Sequence, residues 1–170
     1  MFSNVFKEKR ILITGDTGFK GSWLALWLTE LGADVYGYSL KPNEKEDNYV
    51  ICKMENQIKH MDGDVRDLGQ LVNYFKAINP EIVFHLAAQT LVLDSFQNPH
   101  YTFSTNVLGV VNVFEAIRLT PSVKVAINVT SDKCYKNNEW IWGYRETDSL
   151  GGSDPYSASK SASELITSSY

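Results

Sequence analysis

The sequence has few cysteines, no excess of positive charge and no long apolar run. Cys52 and Cys134 lack the spacing of a metal or redox motif, which indicates reduced thiols in a cytoplasmic protein. Sixteen Lys and Arg residues against twenty Asp and Glu residues give a net charge of −4, and we therefore expect no nucleic-acid partner. The longest apolar stretch, 82–88, is too short to cross a membrane. The basic residues at the N-terminus follow the apolar ones, so no signal peptide is predicted.

Short apolar strands alternate with amphipathic helices along the 170 residues. This alternation predicts an α/β fold with a doubly wound parallel sheet, the Rossmann arrangement, over the whole of 1–170. Trp23 and Trp27 lie at helical spacing and are predicted to pack in the core, whereas 41–48 is predicted to be a polar loop. Strands are predicted at 10–14, 35–39, 58–61, 81–85 and 123–130, and helices at 18–31, after Asp67, within 99–119 and from Pro155.

A glycine-rich turn joins the first predicted strand to the first predicted helix. Gly15, Gly18 and Gly21 follow a Gly-x-x-Gly-x-x-Gly spacing in the segment TGDTGFKG. Glycines at this point allow the backbone to approach a pyrophosphate, which then lies at the positive end of the helix. The context of a strand before and a helix after the turn predicts a dinucleotide site.

The ends of the next two predicted strands carry the residues expected to hold the rest of a dinucleotide. Asp64 follows the third strand, where its carboxylate can accept a hydrogen bond from an adenine amino group. The acid expected at the end of the second strand, which would hold a ribose hydroxyl, is absent. Ser39 occupies that place and Lys41 is near, so the choice between NAD and NADP stays open on these residues.

Small residues follow the fourth predicted strand in the segment His85-Leu86-Ala87-Ala88-Gln89. Such residues let a flat cofactor lie against the backbone at the carboxyl end of the sheet. His85 itself is interpreted as a packed strand histidine. Asn106 lies in a predicted helix, where Asn is intrinsically poor, and either bonds backbone near the site or is a tolerated polar residue.

Tyr156 and Lys160 lie four residues apart, and hence one turn apart on one face of a helix. A lysine ammonium beside a tyrosine favours the phenolate and lowers the tyrosine pKa. The hydroxyl of Ser131, upstream, can orient a substrate alcohol toward the same oxygen. Together the three residues predict a device that takes a proton from a sugar hydroxyl while a hydride leaves the carbon.

These motifs resemble the extended short-chain dehydrogenase/reductase family and, within it, the CDP-glucose 4,6-dehydratases. The resemblance runs from about residue 6 to residue 170 and is carried by the segments TGDTGFKGSWL, FHLAAQ, TSDKCY, WIWGYRE and GGSDPYSASK. It implies a cytoplasmic NAD-dependent lyase that converts CDP-glucose to CDP-4-keto-6-deoxy-glucose for bacterial surface deoxysugars such as those of lipopolysaccharide O-antigen. It implies a small-molecule nucleotide sugar as partner and, by analogy, a homodimer through the helices at 99–119 and from 155.

The resemblance also implies residue roles. Tyr156 is the base, Asp132 protonates the departing 6-hydroxyl, and Lys133 stands where related dehydratases carry a Glu base. Lys133 is therefore either neutral through burial or acts electrostatically on an enolate. Gln89 and Ser131 are implied substrate contacts. The implied cofactor contacts are Gly15, Thr17, Gly18, Phe19, Lys20, Gly21, Ser39, Asp64, Val65, Leu86, Ala87, Ala88, Asn106, Tyr156 and Lys160; no metal ligand is implied.

The sequence departs from the family in three ways. Asp16 stands where the family usually has His, and a carboxylate there is expected either to point to solvent or to reduce cofactor affinity. Leu93 replaces the usual Arg and Thr90 the usual Pro. Family members are far longer and add a nucleotide-sugar domain, so the strand at 123–130 is expected at an uncovered sheet edge. The alternatives are a dinucleotide-binding remnant without turnover, or a nucleotide-sugar epimerase or reductase.

Overall fold

The computed structural model describes residues 2–42, 45 and 47–170, and the chain divides into two compact units. The first comprises residues 1–87 and 112–129, and the second comprises residues 88–111 and 130–170. The predicted loop at 41–48 is described only in part, because Asn43, Glu44 and Glu46 lie outside the described residues.

The first unit is built on a five-stranded parallel sheet in the order β3-β2-β1-β4-β5. This confirms the doubly wound parallel sheet. Most predicted strand ends lie within two residues of the observed ones, and the fifth strand is shorter than predicted. The strands are β1 (Arg10–Thr14), β2 (Asp34–Ser39), β3 (Lys59–Asp62), β4 (Ile82–His85) and β5 (Val125–Asn128).

Apolar side chains of the first unit form two buried clusters. In β1, Leu12 belongs to one cluster and its neighbours Ile11 and Ile13 to the other, because successive side chains of a strand point to opposite faces. The helices that contribute side chains to these clusters are α1 (Phe19–Glu30), α2 (Asn48–Ile51), α3 (Leu68–Ile78) and α6 (Gly109–Arg118). The core therefore lies on both faces of the sheet.

Helix α1 buries its small residues rather than its large ones. Gly21, Ser22, Ala25 and Leu28 are buried, whereas Trp23 and Trp27 are each 51% exposed. The prediction that both tryptophans pack in the core is wrong. The reason is close packing at Gly21, where a Cβ would lie 2.0 Å from the carbonyl oxygen of Gly15. This contact turns the face of α1 that carries Gly21, its narrow face, toward the sheet.

Helix α3 begins at the predicted N-cap, since the Asp67 side chain accepts a hydrogen bond from the Gln70 N–H at 2.9 Å. The Gln70 side chain does not complete a capping box, because its Oε1 accepts from the Tyr38 hydroxyl at 2.6 Å. Strand β5 forms one edge of the sheet, as expected, and its Val125 and Ile127 are exposed.

The second unit is mostly helical. Its helices are α4 (Val92–Gln97), α5 (Pro99–Phe103), a π-helical segment (Ser104–Leu108) and α7 (Pro155–Ser169), with a 3₁₀ turn at Asp132–Cys134. The predicted helix within 99–119 is therefore one helical run interrupted by a π segment, and α4 was not predicted. Residues 135–154 form a loop, with a single bridge between Tyr135 and Leu150. Within the described ranges, no helix has the length and apolarity needed to cross a membrane.

We expect Phe75→Ala to destabilise the protein by about 4 kcal/mol and Trp23→Ala by less than about 1 kcal/mol. Phe75 is fully buried in the core, whereas Trp23 is half exposed, although both are aromatic side chains on helices. Urea unfolding followed by circular dichroism measures both values. Equal losses would contradict the observed packing of α1.

Candidate cofactor and active site

The turn between β1 and α1 brings three backbone segments into close approach. Gly15 has a φ of +79°, and a Cβ there would lie 2.7 Å from the amide nitrogen of Ala87. Gly21 is excluded from bearing a side chain by the Gly15 carbonyl, and Gly18, the N-cap of α1, supplies no capping side chain. The first N–H groups of α1 therefore face a shallow backbone cradle, which fits the pyrophosphate of a dinucleotide.

Asp16, inside this turn, is fully buried and does not point to solvent. Its Oδ1 accepts a hydrogen bond from the Ser39 hydroxyl at 2.9 Å, and its Oδ2 lies 2.7 Å from Nδ1 of His60. The carboxylate lies over Gly37 of β2, where a Cβ would be 2.1 Å from Oδ2. Of the two alternatives for Asp16, the solvent-facing carboxylate is wrong, because β2 and β3 supply partners for a buried one. A reduced cofactor affinity stays a prediction.

His60 joins two carboxylates. Its Nε2 lies 3.2 Å from Oδ1 of Asp62, and its ring packs at 5.6 Å from the ring of Tyr49. Burial of the ring opposes its charge, but the hydrogen bond and charge of Asp16, helped by Asp62, outweigh burial and raise the His60 pKa above 6.5. Burial and the charges of Asp16, Glu55 and Asp62 raise the pKa of Tyr49 to about 12.

The end of β2 carries a chain of hydroxyl groups. Thr17 Oγ1 lies 2.9 Å from Ser39 Oγ and 2.9 Å from the carbonyl oxygen of Leu40. Ser39 is buried, whereas Thr17 is partly exposed. Lys41, which follows, is exposed and its Nζ lies 3.5 Å from Oδ2 of Asp62.

The other predicted cofactor residues of the first unit lie along the same carboxyl ends of the strands. The Asp64 carboxylate accepts hydrogen bonds from the backbone N–H and the guanidinium of Arg66, which lower its pKa below 3.8. Val65 is buried, and its carbonyl accepts from the Asn112 side chain at 3.0 Å. Phe19 and Lys20 are exposed in the first turn of α1, and Leu86 and Ala87 follow β4. His85 is buried and lies 2.6 Å from the Thr14 hydroxyl, as interpreted from the sequence.

In the second unit, Asn106 lies in the π-helical segment and clamps the segment after Ala88. Its Oδ1 accepts from the Gln89 N–H at 2.8 Å, and its Nδ2 donates to the Gln89 carbonyl at 2.9 Å and to Ser159 Oγ at 3.0 Å. Of the two readings left open for Asn106, the structure supports backbone bonding. The Gln89 side chain is itself held by Thr102 and by the Leu91 carbonyl.

Helix α7 carries Tyr156 and Lys160, which are both buried. It begins as predicted, with Pro155 in its first turn and Asp154 accepting a hydrogen bond from the Ser157 N–H at 2.9 Å. The Tyr156 N–H donates to Ser95 Oγ of α4 at 3.2 Å. The first turn of α7, and with it the backbone of Tyr156, is fixed by side chains at its N-terminus.

The segment that contains Ser131, Asp132 and Lys133 is tied to α7. The Thr130 hydroxyl donates to the Glu164 carboxylate, and the Ser161 hydroxyl donates to the Cys134 carbonyl at 2.6 Å. Between these two ties, Ser131 Oγ donates to Asp132 Oδ1 at 3.1 Å and accepts from the Lys133 N–H at 3.2 Å. Asp132 and Lys133 are exposed.

A cavity of about 590 Å³ lies beside this segment. The rings of Tyr135 and Tyr144 stack next to it, with centroids 5.2 Å apart, whereas Trp140 and Trp142 of the same loop are exposed. The residues lining the cavity include Asp132, Lys133, Lys136, Asn137, Tyr144 and Ser157. Among the residues that the structure describes, no cluster of His, Cys, Asp and Glu could hold a metal ion.

The sequence analysis missed His60, Glu164 and Ser95. Glu164 lies four residues after Lys160 on α7, so helical spacing could have pointed to it. His60 and Ser95 had no such signal, because their partners Asp16 and Tyr156 are distant in sequence.

Leu93, where the family usually has Arg, is 77% exposed on α4.

A parallel sheet with a glycine turn before α1, together with a Tyr-x-x-x-Lys helix and an upstream serine, defines an extended short-chain dehydrogenase/reductase. The family model described as GDP-mannose 4,6 dehydratase matches residues 12–170. The chain therefore belongs to this family of extended short-chain dehydrogenases/reductases.

The chain is similar to several characterised proteins. It is 47% identical to a CDP-glucose 4,6-dehydratase of Salmonella typhimurium, covering 98% of this chain and 46% of that protein. It is 33% identical to a GDP-mannose 4,6-dehydratase of Vibrio cholerae, covering 96% and 46%. A UDP-glucose 4-epimerase from Brucella ovis, solved with NAD, superposes with a TM-score of 0.83 at 25% identity, covering 95% and 47%. The chain spans about half the length of these relatives.

We expect the stability of the protein to fall as the pH rises through the folded-state pKa of His60. Because that pKa is raised above 6.5 by Asp16 and Asp62, the stabilisation is complete below about pH 6.5 and is lost above the folded pKa. Urea midpoints measured between about pH 6 and pH 9 test this. In His60→Gln, which cannot titrate, this decline should disappear, and a decline of unchanged size would contradict the assignment.

We expect Asn106→Ala to destabilise the protein by about 3 kcal/mol, because it leaves the buried N–H and carbonyl of Gln89 without their partner. The matched control is Asn138→Ala, at an exposed loop position, which should cost less than about 0.5 kcal/mol. Thermal unfolding measures both. Similar values for the two variants would contradict a clamping role for Asn106.

Proposed function

We propose that the protein carrying this chain catalyses the NAD-dependent dehydration of a nucleotide-linked glucose, with CDP-glucose as substrate and CDP-4-keto-6-deoxy-glucose as product. One observation carries the proposal. Helix α7, with buried Tyr156 and Lys160, is tied on both sides of Ser131 and Asp132 by the hydrogen bonds from Thr130 and Ser161. A proton acceptor, a cation, a hydroxyl and a carboxylic acid are thereby held by one compact unit.

NAD is the cofactor that the fold and the glycine cradle support. When bound, NAD would accept the hydride of sugar C4 and return it to C6 after water is lost, so that the overall reaction is redox-neutral. Gly15, Gly18 and Gly21 would hold its pyrophosphate against the N-terminus of α1, because a side chain at Gly15 or Gly21 would collide with backbone. Relatives from Brucella ovis and Bordetella bronchiseptica have been solved in complex with NAD, which supports the same cofactor here.

The residues of α7 perform the first proton transfer in this proposal. Tyr156 accepts the proton of the sugar 4-hydroxyl, and the cation of Lys160, one turn away, stabilises the negative charge that develops on the tyrosine oxygen. Ser131 orients the sugar hydroxyl. These roles leave a 4-keto group on the sugar, which acidifies the neighbouring C5 proton.

The loss of water is assigned to the segment after Ser131. Asp132 protonates the departing 6-hydroxyl from an exposed position. The C5 proton passes to solvent water, which reaches this exposed segment, and the charge of Lys133 stabilises the enolate that forms. Because Lys133 is exposed, this electrostatic role is favoured over that of a base made neutral by burial. Homodimerisation stays a prediction by analogy.

The substrate assignment is tested by incubating the protein with NAD and CDP-glucose, UDP-glucose or GDP-mannose in separate reactions and measuring product mass. A product lighter by one water, formed fastest from CDP-glucose, supports the proposal. Mass-neutral conversion would indicate an epimerase, the activity named for several structural relatives. NAD binding without conversion of any substrate would indicate a dinucleotide-binding remnant.

We expect Tyr156→Phe to lower turnover by at least about 10³-fold while NAD affinity changes less than about threefold. The substitution removes only the hydroxyl oxygen that accepts the proton, and the hydrogen bond to Ser95 keeps the backbone of residue 156 in place. Turnover is measured by product mass and NAD affinity by quenching of tryptophan fluorescence. Tyr36→Phe, whose hydroxyl bonds Asp34 at the far end of β2, is the control for a lost tyrosine hydroxyl. Unchanged turnover in Tyr156→Phe would remove Tyr156 from the mechanism.

A further inference from the structure

The end of β2 is where Rossmann folds discriminate NAD from NADP. An acid there accepts a hydrogen bond from the 2′-hydroxyl of the adenosine ribose, whereas a cation accommodates a 2′-phosphate. In this chain Ser39 occupies that position, and a serine by itself favours neither NAD nor NADP.

The carboxylate missing from β2 is present one hydrogen bond away. Asp16 reaches this place from the turn after β1, and the Ser39 hydroxyl donates to its Oδ1 at 2.9 Å. Asp16 is fully buried, so its charge acts across protein rather than through water and is weakly screened.

The hydroxyl groups at this point are oriented by that charge. A hydroxyl has one proton to donate, and the Ser39 proton is directed to Asp16. The neighbours of Thr17 Oγ1 are Ser39 Oγ and the Leu40 carbonyl, so its proton also points into the protein. The outer lone pair of Thr17, the partly exposed member of the chain, is left as an acceptor. An acceptor suits a ribose hydroxyl and repels a phosphate.

The basic side chains of this cluster already have acidic partners. His60 places its two ring nitrogens against Asp16 and Asp62, and Lys41 lies against the other oxygen of Asp62 in an exposed pair. Within these four groups, each basic side chain lies against a carboxylate, which a 2′-phosphate would have to displace.

We propose that Asp16, acting through Ser39 and Thr17, is the residue that makes this site select NAD over NADP. The proposal rests on the dinucleotide binding of the proposed function. It assigns to the turn after β1 the discrimination that Rossmann folds usually place on β2.

The test is the ratio of the dissociation constants of NADP and NAD, measured by isothermal titration calorimetry. The wild type should prefer NAD, and Asp16→Asn should lower the ratio by about tenfold or more, since one charge near a phosphate is removed. Asp34→Asn is the matched control, because Asp34 lies at the opposite end of β2 and pairs with Lys59. It should leave the ratio unchanged.

Two further variants separate charge from misfolding, with folding checked by circular dichroism. The double variant Asp16→Asn with Ser39→Asp returns the carboxylate to β2 and should restore the preference. If Asp16→Asn does not fold, Ser39→Ala carries the test, because it breaks the link between Asp16 and Thr17, and the ratio of the NADP and NAD dissociation constants should fall at least about threefold.

The outcomes distinguish this inference from the proposed function. Equal binding of NAD and NADP by the wild type, or an unchanged ratio in folded Asp16→Asn, overturns the role of Asp16 and leaves NAD binding intact. An unchanged ratio in folded Ser39→Ala overturns the relay through Ser39. Binding of neither dinucleotide overturns both this inference and the proposed cofactor.

Discussion

The close approach of backbone at Gly15 and Gly21 is the constraint on which the first unit depends. A Cβ at Gly21 would lie 2.0 Å from the Gly15 carbonyl, so α1 can meet β1 only where no side chain intervenes. This contact selects the narrow face of α1 for burial and leaves Trp23 and Trp27 outside. The same contact shapes the cradle at the helix N-terminus, so one packing requirement serves both the fold and the cofactor site.

A second constraint is the buried charge of Asp16. An isolated carboxylate in the interior would be very unfavourable, and the cost is offset by hydrogen bonds to Ser39 and to the ring of His60. These partners come from β2 and β3, so the turn after β1 is connected to two further strands of the sheet. The polarity at the end of β2 therefore depends on Asp16, Ser39 and His60, which lie 21 to 44 positions away from one another in sequence.

In the second unit, side-chain hydrogen bonds hold candidate site residues that lie on segments without regular structure. Asn is unfavourable in a helix, and Asn106 lies in a π-helical segment. Its side chain bonds the N–H and the carbonyl of Gln89, as a neighbouring strand would. Thr130 and Ser161 provide hydrogen bonds on either side of Ser131 and Asp132. Side-chain hydrogen bonds thus hold the loop residues in fixed positions, as the proposed proton transfer would require.

The sequence pattern was sufficient to predict the parallel sheet, the glycine turn, the starts of the helices after Asp67 and at Pro155, and the helix face with Tyr156 and Lys160. Each of these features depends on residues that are neighbours along the chain. Short segments that resemble the motifs of the family likewise identified the family. The burial of Asp16, the exposure of the α1 tryptophans and the clamp at Asn106 were decided only by tertiary structure. Each of them depends on which distant segment supplies the partner, and the one-dimensional pattern of polar and apolar residues carries no record of that pairing.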